Sequence, residues 1–233
     1  MISMNKSNGG ITGFENPCAA FQQKALNLNE LFVYSKSSMK LYVSESEYLN
    51  FGIAQDDWLL VDASRQPLAQ DLVLVEKYDE QFVMMFSTIS ANTNNIDFFE
   101  SVTVLGVLVI SIHHFRKPRE LPEHESLTDL DIHDLLITHE HSTILCRAVG
   151  DSMLPFVFNN DLLLLERHLE VELHDVCVLS WNEQLVCKRV DKNRHVLWSD
   201  NPNYGPHNLT SNDYLKMHGV VSRSIRLHRK VFN

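Results

Sequence analysis

Ser152 stands in the run Gly150-Asp151-Ser152-Met153-Leu154-Pro155, and Lys188 follows 36 residues later in Val186-Cys187-Lys188-Arg189-Val190. A serine hydroxyl is a weak nucleophile and needs a base to take its proton. A lysine amine can be that base only when neutral, and burial among apolar groups lowers its pKa by penalising the ammonium form. Side chains alternate across a strand, so Lys188 shares a face with Val186 and Val190. That setting favours loss of the proton. The pair points to nucleophilic acyl transfer, with Ser152 as nucleophile and Lys188 as general base. Short Gly-Asp-Ser runs also arise by chance, and a lone strand lysine is commonly a solvated edge residue, so the bland reading stands beside the chemical one.

The elements that must position the pair recur along the chain. Leu28-Asn29-Glu30-Leu31-Phe32-Val33 parallels Ile132-His133-Asp134-Leu135-Leu136-Ile137, and Asn50 to Leu60 parallels Leu154 to Leu164, both at an offset of 104. Asp71 to Val75 matches Asp175 to Leu179 at the same offset, and Tyr78 to Val83 matches Trp181 to Val186 at 103. Gly106-Val107-Leu108 matches Gly219-Val220-Val221 at 113, as do Ser111-Ile112 with Ser224-Ile225 and Arg116-Lys117 with Arg229-Lys230. Five matches in one order make a tandem repeat of about 100 residues. Its short apolar runs, rich in Val, Leu and Phe, read as strands. Hairpins are expected over Asp71 to Phe86, turning at Asp79-Glu80, and over Asp175 to Val190, turning at Asn182-Glu183. Leu162 to Leu165 reads as a strand covered on both faces.

The expected fold is mainly β: two tandem β-domains packed through equivalent surfaces as a pseudo-dimer. The division is a flexible arm at 1–12, a first domain at 13–116, a linker at 117–131 with two prolines, and a second domain at 132–233. The repeat also serves as an internal control. Ser152 falls opposite Tyr48 at offset 104, and Lys188 falls opposite Met85 at offset 103, so the first copy lacks both groups together.

Composition narrows the function. The 233 residues carry 20 Lys+Arg against 30 Asp+Glu, a net charge of −10 that repels a phosphate backbone. Lys216, Arg223, Arg226, Arg229 and Lys230 form a local basic stretch, read as a solvated strand edge or tail in preference to a nucleic-acid contact. Cys146, Cys177 and Cys187 sit in apolar runs, and with Cys18 they make no Cys-x-x-Cys spacing. His139-Glu140-His141, with His133 nearby, reads as surface polarity and not a zinc site. No metal or other cofactor is expected. The longest apolar stretch, Val102 to Ile112, is too short for a membrane helix, and a cytoplasmic, thiol-reduced protein is expected.

The second half resembles the LexA/UmuD-type self-cleaving Ser–Lys peptidases. The resemblance rests on Gly150 to Pro155, Asn160-Asp161, Val186-Cys187-Lys188-Arg189, Asn201-Pro202-Asn203-Tyr204 and Gly219-Val220-Val221, from about Ile132 to Lys230. It implies a mainly β peptidase fold with Ser152 as nucleophile and Lys188 as base. Gly13-Phe14, Pro17, Ala19 and Leu28-Asn29-x-Leu31 resemble the arm and first strand of the UmuD branch, and the bond matching that family's cleavage site is Thr12-Gly13. Three positions depart from the pattern: Thr12 is β-branched at the cleavage site, and Asn160 and His174 stand where glycine is usual. The resemblance further implies an SOS mutagenesis role. A RecA–single-stranded DNA filament would promote self-cleavage, and the processed form would bind a Y-family translesion polymerase (UmuC-like) or further UmuD-like subunits. The first repeat reads as β and leaves no room for a helix-turn-helix, so sequence-specific DNA binding is not expected. The competing reading is a non-cleaving pseudo-dimeric module that regulates a polymerase, UmuD or a LexA-type repressor. A membrane-bound signal-peptidase-like enzyme is the third and weakest.

Overall fold

The computed structural model describes residues 27–91, 102–121 and 131–229, together with the backbone of 14–15. Residues 1–12, Thr12 and Gly13, Cys18, most of the linker (122–130) and Lys230 lie outside the described residues. The protein is mainly β. A short strand β1 (Phe14–Glu15) precedes helix α1 (Leu28–Phe32), then β2 (Met39–Val43), β3 (Trp58–Asp62), β4 (Leu72–Lys77), β5 (Glu80–Met85), α2 (Phe86–Ala91) and β6 (Thr103–His114). After the linker come α3 (Ile132–Leu136), β7 (Thr143–Ala148), β8 (Leu162–Glu166), β9 (Val176–Trp181), β10 (Gln184–Asp191), β11 (Val196–Trp198), β12 (His207–Asn208) and β13 (Leu215–Leu227).

Leu28 to Val33 is not the first strand of a β-unit but a helix with its C-cap. The Asn27 side chain accepts from the amides of Asn29 and Glu30, and the Asp131 side chain accepts from that of Asp134. Each cap satisfies amide donors that a first helical turn leaves orphaned, which tips a short amphipathic run into a helix.

The strands form one antiparallel sheet in which both halves use one scheme. β3 pairs with β2 and β6, and β4 with β5 and β6; likewise β8 pairs with β7 and β13, and β9 with β10 and β13. The registers correspond residue by residue. Trp58 faces Ile112 as Leu162 faces Ile225, and the ladder shifts between Leu60 and Val61 where the other shifts between Val221 and Arg223. Each spine also shifts against its other neighbour beside a glycine, Gly106 in the β4–β6 ladder and Gly219 in the β9–β13 ladder. A Cβ on Gly106 would stand 2.7 Å from the Asp62 carbonyl oxygen, and one on Gly219 would stand 2.9 Å from that of Glu166. Backbone approach this close admits no side chain.

The register corrects two expectations. Both hairpins turn on two left-handed residues, Tyr78-Asp79 in the first and Asn182-Glu183 in the second, so the first turn is not Asp79-Glu80. The hairpins therefore keep the offset of 104. Lys188 lies opposite Cys177 and Met84 opposite Val73, which makes Met84 and not Met85 the counterpart of Lys188.

The halves meet along β6 and β13, whose ladder runs from Ile110 opposite Leu227 to His114 opposite Arg223. Over this seam sits a core containing Leu28, Phe32, Trp58, Ile110, Ile112, Ile132, Leu136, Leu164 and Ile225. Each fully buried Leu, Ile or Phe contributes about 2 kcal/mol, so separating the halves would forfeit this shared core, although each half also has clusters of its own. Arg226 crosses the seam. It binds Asp161 through Nη2 at 2.6 Å and donates from Nη1 to the Phe51 carbonyl at 2.6 Å. A Cβ on Gly52, whose φ is +65°, would fall 1.6 Å from that Nη1. The basic stretch is therefore no solvated tail: Arg223 is 6% exposed, Arg226 is engaged as above, and Arg229 binds Asp71 at 2.6 Å, while Lys216 alone of the described members is exposed. The buried carboxylates of Asp161 and, across the seam, Asp71 draw Arg226 and Arg229 inward.

Two predictions follow from buried titratable groups. Burial holds His114 and His228, both at the seam, at a pKa of about 3. Their folded pKa values lie below the unfolded one, so the unfolded chain binds more protons as pH falls below about 6.5. Lowering the pH from 7 to 5 should cost about 2 kcal/mol per histidine, seen as a falling melting temperature that His114→Phe and His228→Leu flatten. Burial likewise pushes the Cys177 thiol up to about 12 and raises that of Cys187. Iodoacetamide at pH 8 should leave both unmodified in the native protein and alkylate both once denaturant is added, as read by peptide mass.

Candidate active site

Ser152 lies on the turn between β7 and β8. Met153 and Val157 anchor that turn in the core, and the Phe156 and Val157 amides both donate to the Met153 carbonyl, at 3.1 and 2.9 Å. Asp161 closes the loop by accepting from the Phe158 amide at 2.7 Å. Asn160 adopts φ +75°, a conformation that asparagine enters more readily than most residues. His174 adopts φ +70° and meets the Trp198 ring edge-on at 5.2 Å, so packing compensates for a side chain where glycine is usual.

Lys188 lies in the middle of β10. The two expected residues come together: Ser152 and Lys188 both line a cavity of about 230 Å³, walled by Ala148 to Gly150, Met153, Val157 and Gln184 to Cys187. Lys188 is half-buried, and that burial holds its amine below the ordinary lysine range. Its Nζ donates to Ser199 Oγ at 2.6 Å and stands 5.4 Å from the centre of the Tyr204 ring. Among the described residues no hydrogen bond joins Nζ to Ser152 Oγ. The geometry can therefore supply a hydroxyl and a partly dehydrated amine to one substrate, with the amine held by a second serine.

Sequence reasoning missed Ser199 and gave Tyr204 no role. The strap from Ser199 to Tyr204 touches both candidate groups. The Asn201 amide donates to the Ser152 carbonyl at 3.1 Å, Asn201 Nδ2 to the Asp151 carbonyl at 2.9 Å, and the Tyr204 hydroxyl to Asp151 Oδ1 at 2.5 Å. Asp200 forms a two-pronged pair with Arg189, the neighbour of Lys188, at 2.5 and 3.0 Å. The available signal was Ser199-Asp200-Asn201-Pro202-Asn203-Tyr204, a dense run of turn formers directly after a strand.

The first half fills the same ground differently. Tyr48, opposite Ser152 in the register, packs against the cluster of Ile53, Leu59 and Leu74, and its hydroxyl reaches the Gln81 carbonyl on β5 at 3.5 Å. Met84 packs against Val73, Val75 and Val107. The first half also braces the Ser152 loop. Asp57 holds His113 at 2.8 Å, and the His113 ring stacks on Phe156 with centroids 4.9 Å apart. Arg226 is the register counterpart of His113, as Asp161 is of Asp57.

The histidines expected at the surface make paired contacts. The His139 and His168 rings lie 4.1 Å apart, and His133 Nε2 lies 3.3 Å from Glu140, although His133 itself is 9% exposed and accepts from the Leu28 amide. Among the described residues no group of three His, Cys, Asp or Glu is arranged around a metal, and no helix is long and apolar enough to cross a membrane. Outside the cavity, β1 adds to the free edge of β7, with Phe14 opposite Ala148 and Glu15 opposite Arg147.

Residues 115–222, a stretch that holds Ser152, Lys188 and the strap, match the family model described as Peptidase S24-like. This part of the chain is similar to Peptidase S24-like domains.

Proposed function

We propose that the chain is a UmuD-like SOS mutagenesis protein that cuts its own N-terminal arm at Thr12-Gly13 and regulates a translesion DNA polymerase. The observation that carries this reading is the shared cavity of Ser152 and the half-buried Lys188, with β1 paired onto β7 beside it. Phe14 lies opposite Ala148, which lines that cavity together with Val149 and Gly150. In the reaction, neutral Lys188 takes the Ser152 Oγ proton as Oγ bonds to the Thr12 carbonyl carbon. The bond to Gly13 nitrogen breaks and the leaving amine takes the proton from Lys188. Water then cleaves the resulting ester, which frees the Thr12 carboxylate and restores Ser152.

The matching registers of the two halves support a tandem duplication in which the first copy has lost the chemistry and serves as the permanent second subunit of a pseudo-dimer. A RecA–single-stranded DNA filament would act by favouring the conformation with the arm in the cleft, a shift of population. The processed form would then bind a UmuC-like Y-family polymerase, or UmuD-like subunits, in the cytoplasm. Direct DNA reading is disfavoured, because the carboxyl-terminal arginines are engaged within the protein.

One observation favours the second reading, a pseudo-dimeric module that binds a polymerase or repressor without cutting: Nζ is bonded to Ser199 and not to Ser152. Intact mass separates the two. After mild alkaline incubation, or incubation with RecA filament and nucleotide, the parent should lose residues 1–12 while Ser152→Ala and Lys188→Ala keep them. An uncut parent under both conditions would leave the binding module standing. Because the base must be neutral and burial lowers its pKa, the cleavage rate should rise with pH along a limb centred below the ordinary lysine value of about 10.4.

A further inference from the structure

We propose that Ser199 is the positioning residue for the Lys188 amine: its Oγ takes a hydrogen bond from Nζ and, through the strap, ties that amine to the Ser152 turn. The inference rests on the peptidase reading and adds to it the group that aims the base.

Pairing geometry fixes the contact. In the β10–β11 ladder Arg189 lies opposite Trp198, so the next position sets Ser199 beside Lys188. Residues directly opposite on one face have Cβ atoms about 5 Å apart, and here the side chains close to 2.6 Å between Nζ and Oγ. A lysine stem carries about 2 kcal/mol of rotamer entropy and does not hold its amine in one place unaided. A neutral amine has two N–H bonds and one lone pair. Giving one N–H to Ser199 narrows the directions in which the lone pair can point, and Lys188 lines the same cavity as Ser152. The same strap receives its hold on the turn from Asn201 and Tyr204, so base and nucleophile share one rigid part.

The first half supplies the control. Where the second half leaves β10 for β11 and the strap, the first half leaves β5 for helix α2, and Met84 packs beside Phe86. Among the described residues, the half that lacks the serine and the lysine shows no strand in the place of β11.

The test measures two rates in the full-length chain: release of residues 1–12, and labelling of Ser152 by a fluorophosphonate, which reacts with an activated serine hydroxyl whether or not the arm is cut. Both are followed from about pH 6 to about pH 10. Ser199→Ala should slow labelling by about 10- to 100-fold, and Ser199→Thr, which keeps the hydroxyl, should retain most of the rate. The Ser199 oxygen also favours the charged amine, so its loss should move the rising limb of the alanine variant to lower pH while the plateau falls. An unchanged rate would overturn the proposal. So would a faster one, which would mean that Ser199 draws the amine away from Ser152. A threonine variant as slow as alanine, or a loss uniform with pH and matched by a lower melting temperature, would equally overturn it. Ser152→Ala and Lys188→Ala are the controls for the underlying reading: if either still labels at the parental rate, the Ser–Lys reading fails first, and Ser199 is not what was tested.

Discussion

The antiparallel contact between β6 and β13 is the constraint on which the rest of the structure depends. Each of these long strands is the spine of its own half, since β6 carries β3 and β4 while β13 carries β8 and β9. Joining the spines from Ile110 to His114 and from Arg223 to Leu227 makes one continuous sheet and sets Ile112 against Ile225 at its centre. Neither spine has a free edge left at that point for another chain. The bulges beside Gly106 and Gly219 then bend each spine so that it can serve two neighbours, and this geometry requires two glycines in a chain that has only eight.

From the seam the constraint passes into the loops. Arg226 holds the buried Asp161 below the Ser152 turn and at the same time the Phe51 carbonyl of the opposite half, while His113, held by Asp57, lies flat on Phe156. The Asp161–Arg226 pair is almost fully withdrawn from water, with the two side chains 4% and 12% exposed. Such a pair adds little net stability, but losing one member strands a buried charge at a cost of about 3 to 5 kcal/mol. Its value lies in specifying one arrangement of the two loops. The first half, whatever chemistry it lacks, is thus a structural part of the second half's site.

Much of this was legible in the residues. Strand content followed from short Val- and Leu-rich runs, the Leu162 to Leu165 strand is buried throughout, and Asn182-Glu183 forms the turn its type suggests. Ser152 and Lys188, paired in the sequence because the matching positions of the first half lack both, line one cavity. What failed was local or long-range. Leu28 to Phe32 is helical because Asn27 caps it, a single side chain outweighing the β-like composition around it. The hairpin offset was misjudged because Gln81 and Gln184 match by name, whereas the paired left-handed residues Tyr78 and Asp79 fix the true register. The basic carboxyl-terminal stretch looked solvated because its acidic partners, Asp71 and Asp161, are 158 and 65 residues away. Ser199 could not be found from spacing to Ser152 or Lys188, because its meaning depends on a strand, β11, only three residues long.

The two halves also show what a buried amine demands. Burial lowers the Lys188 pKa, which suits a base, but complete burial without a partner would strand three donors. Ser199 and the Tyr204 ring give the amine a partner and a polarisable surface, and both favour the charged form that burial disfavours. The amine's setting therefore balances opposing demands: burial disfavours its charged form, and polar neighbours hold the nitrogen. Met84, at the corresponding register position of the first half, carries no amine and makes neither demand. Packing can close the space with Tyr48, and the chain beyond β5 is free to coil into α2 instead of spanning the cleft. The serine, the lysine and the strap thus form one unit in physical terms, because each is costly to keep without the other two.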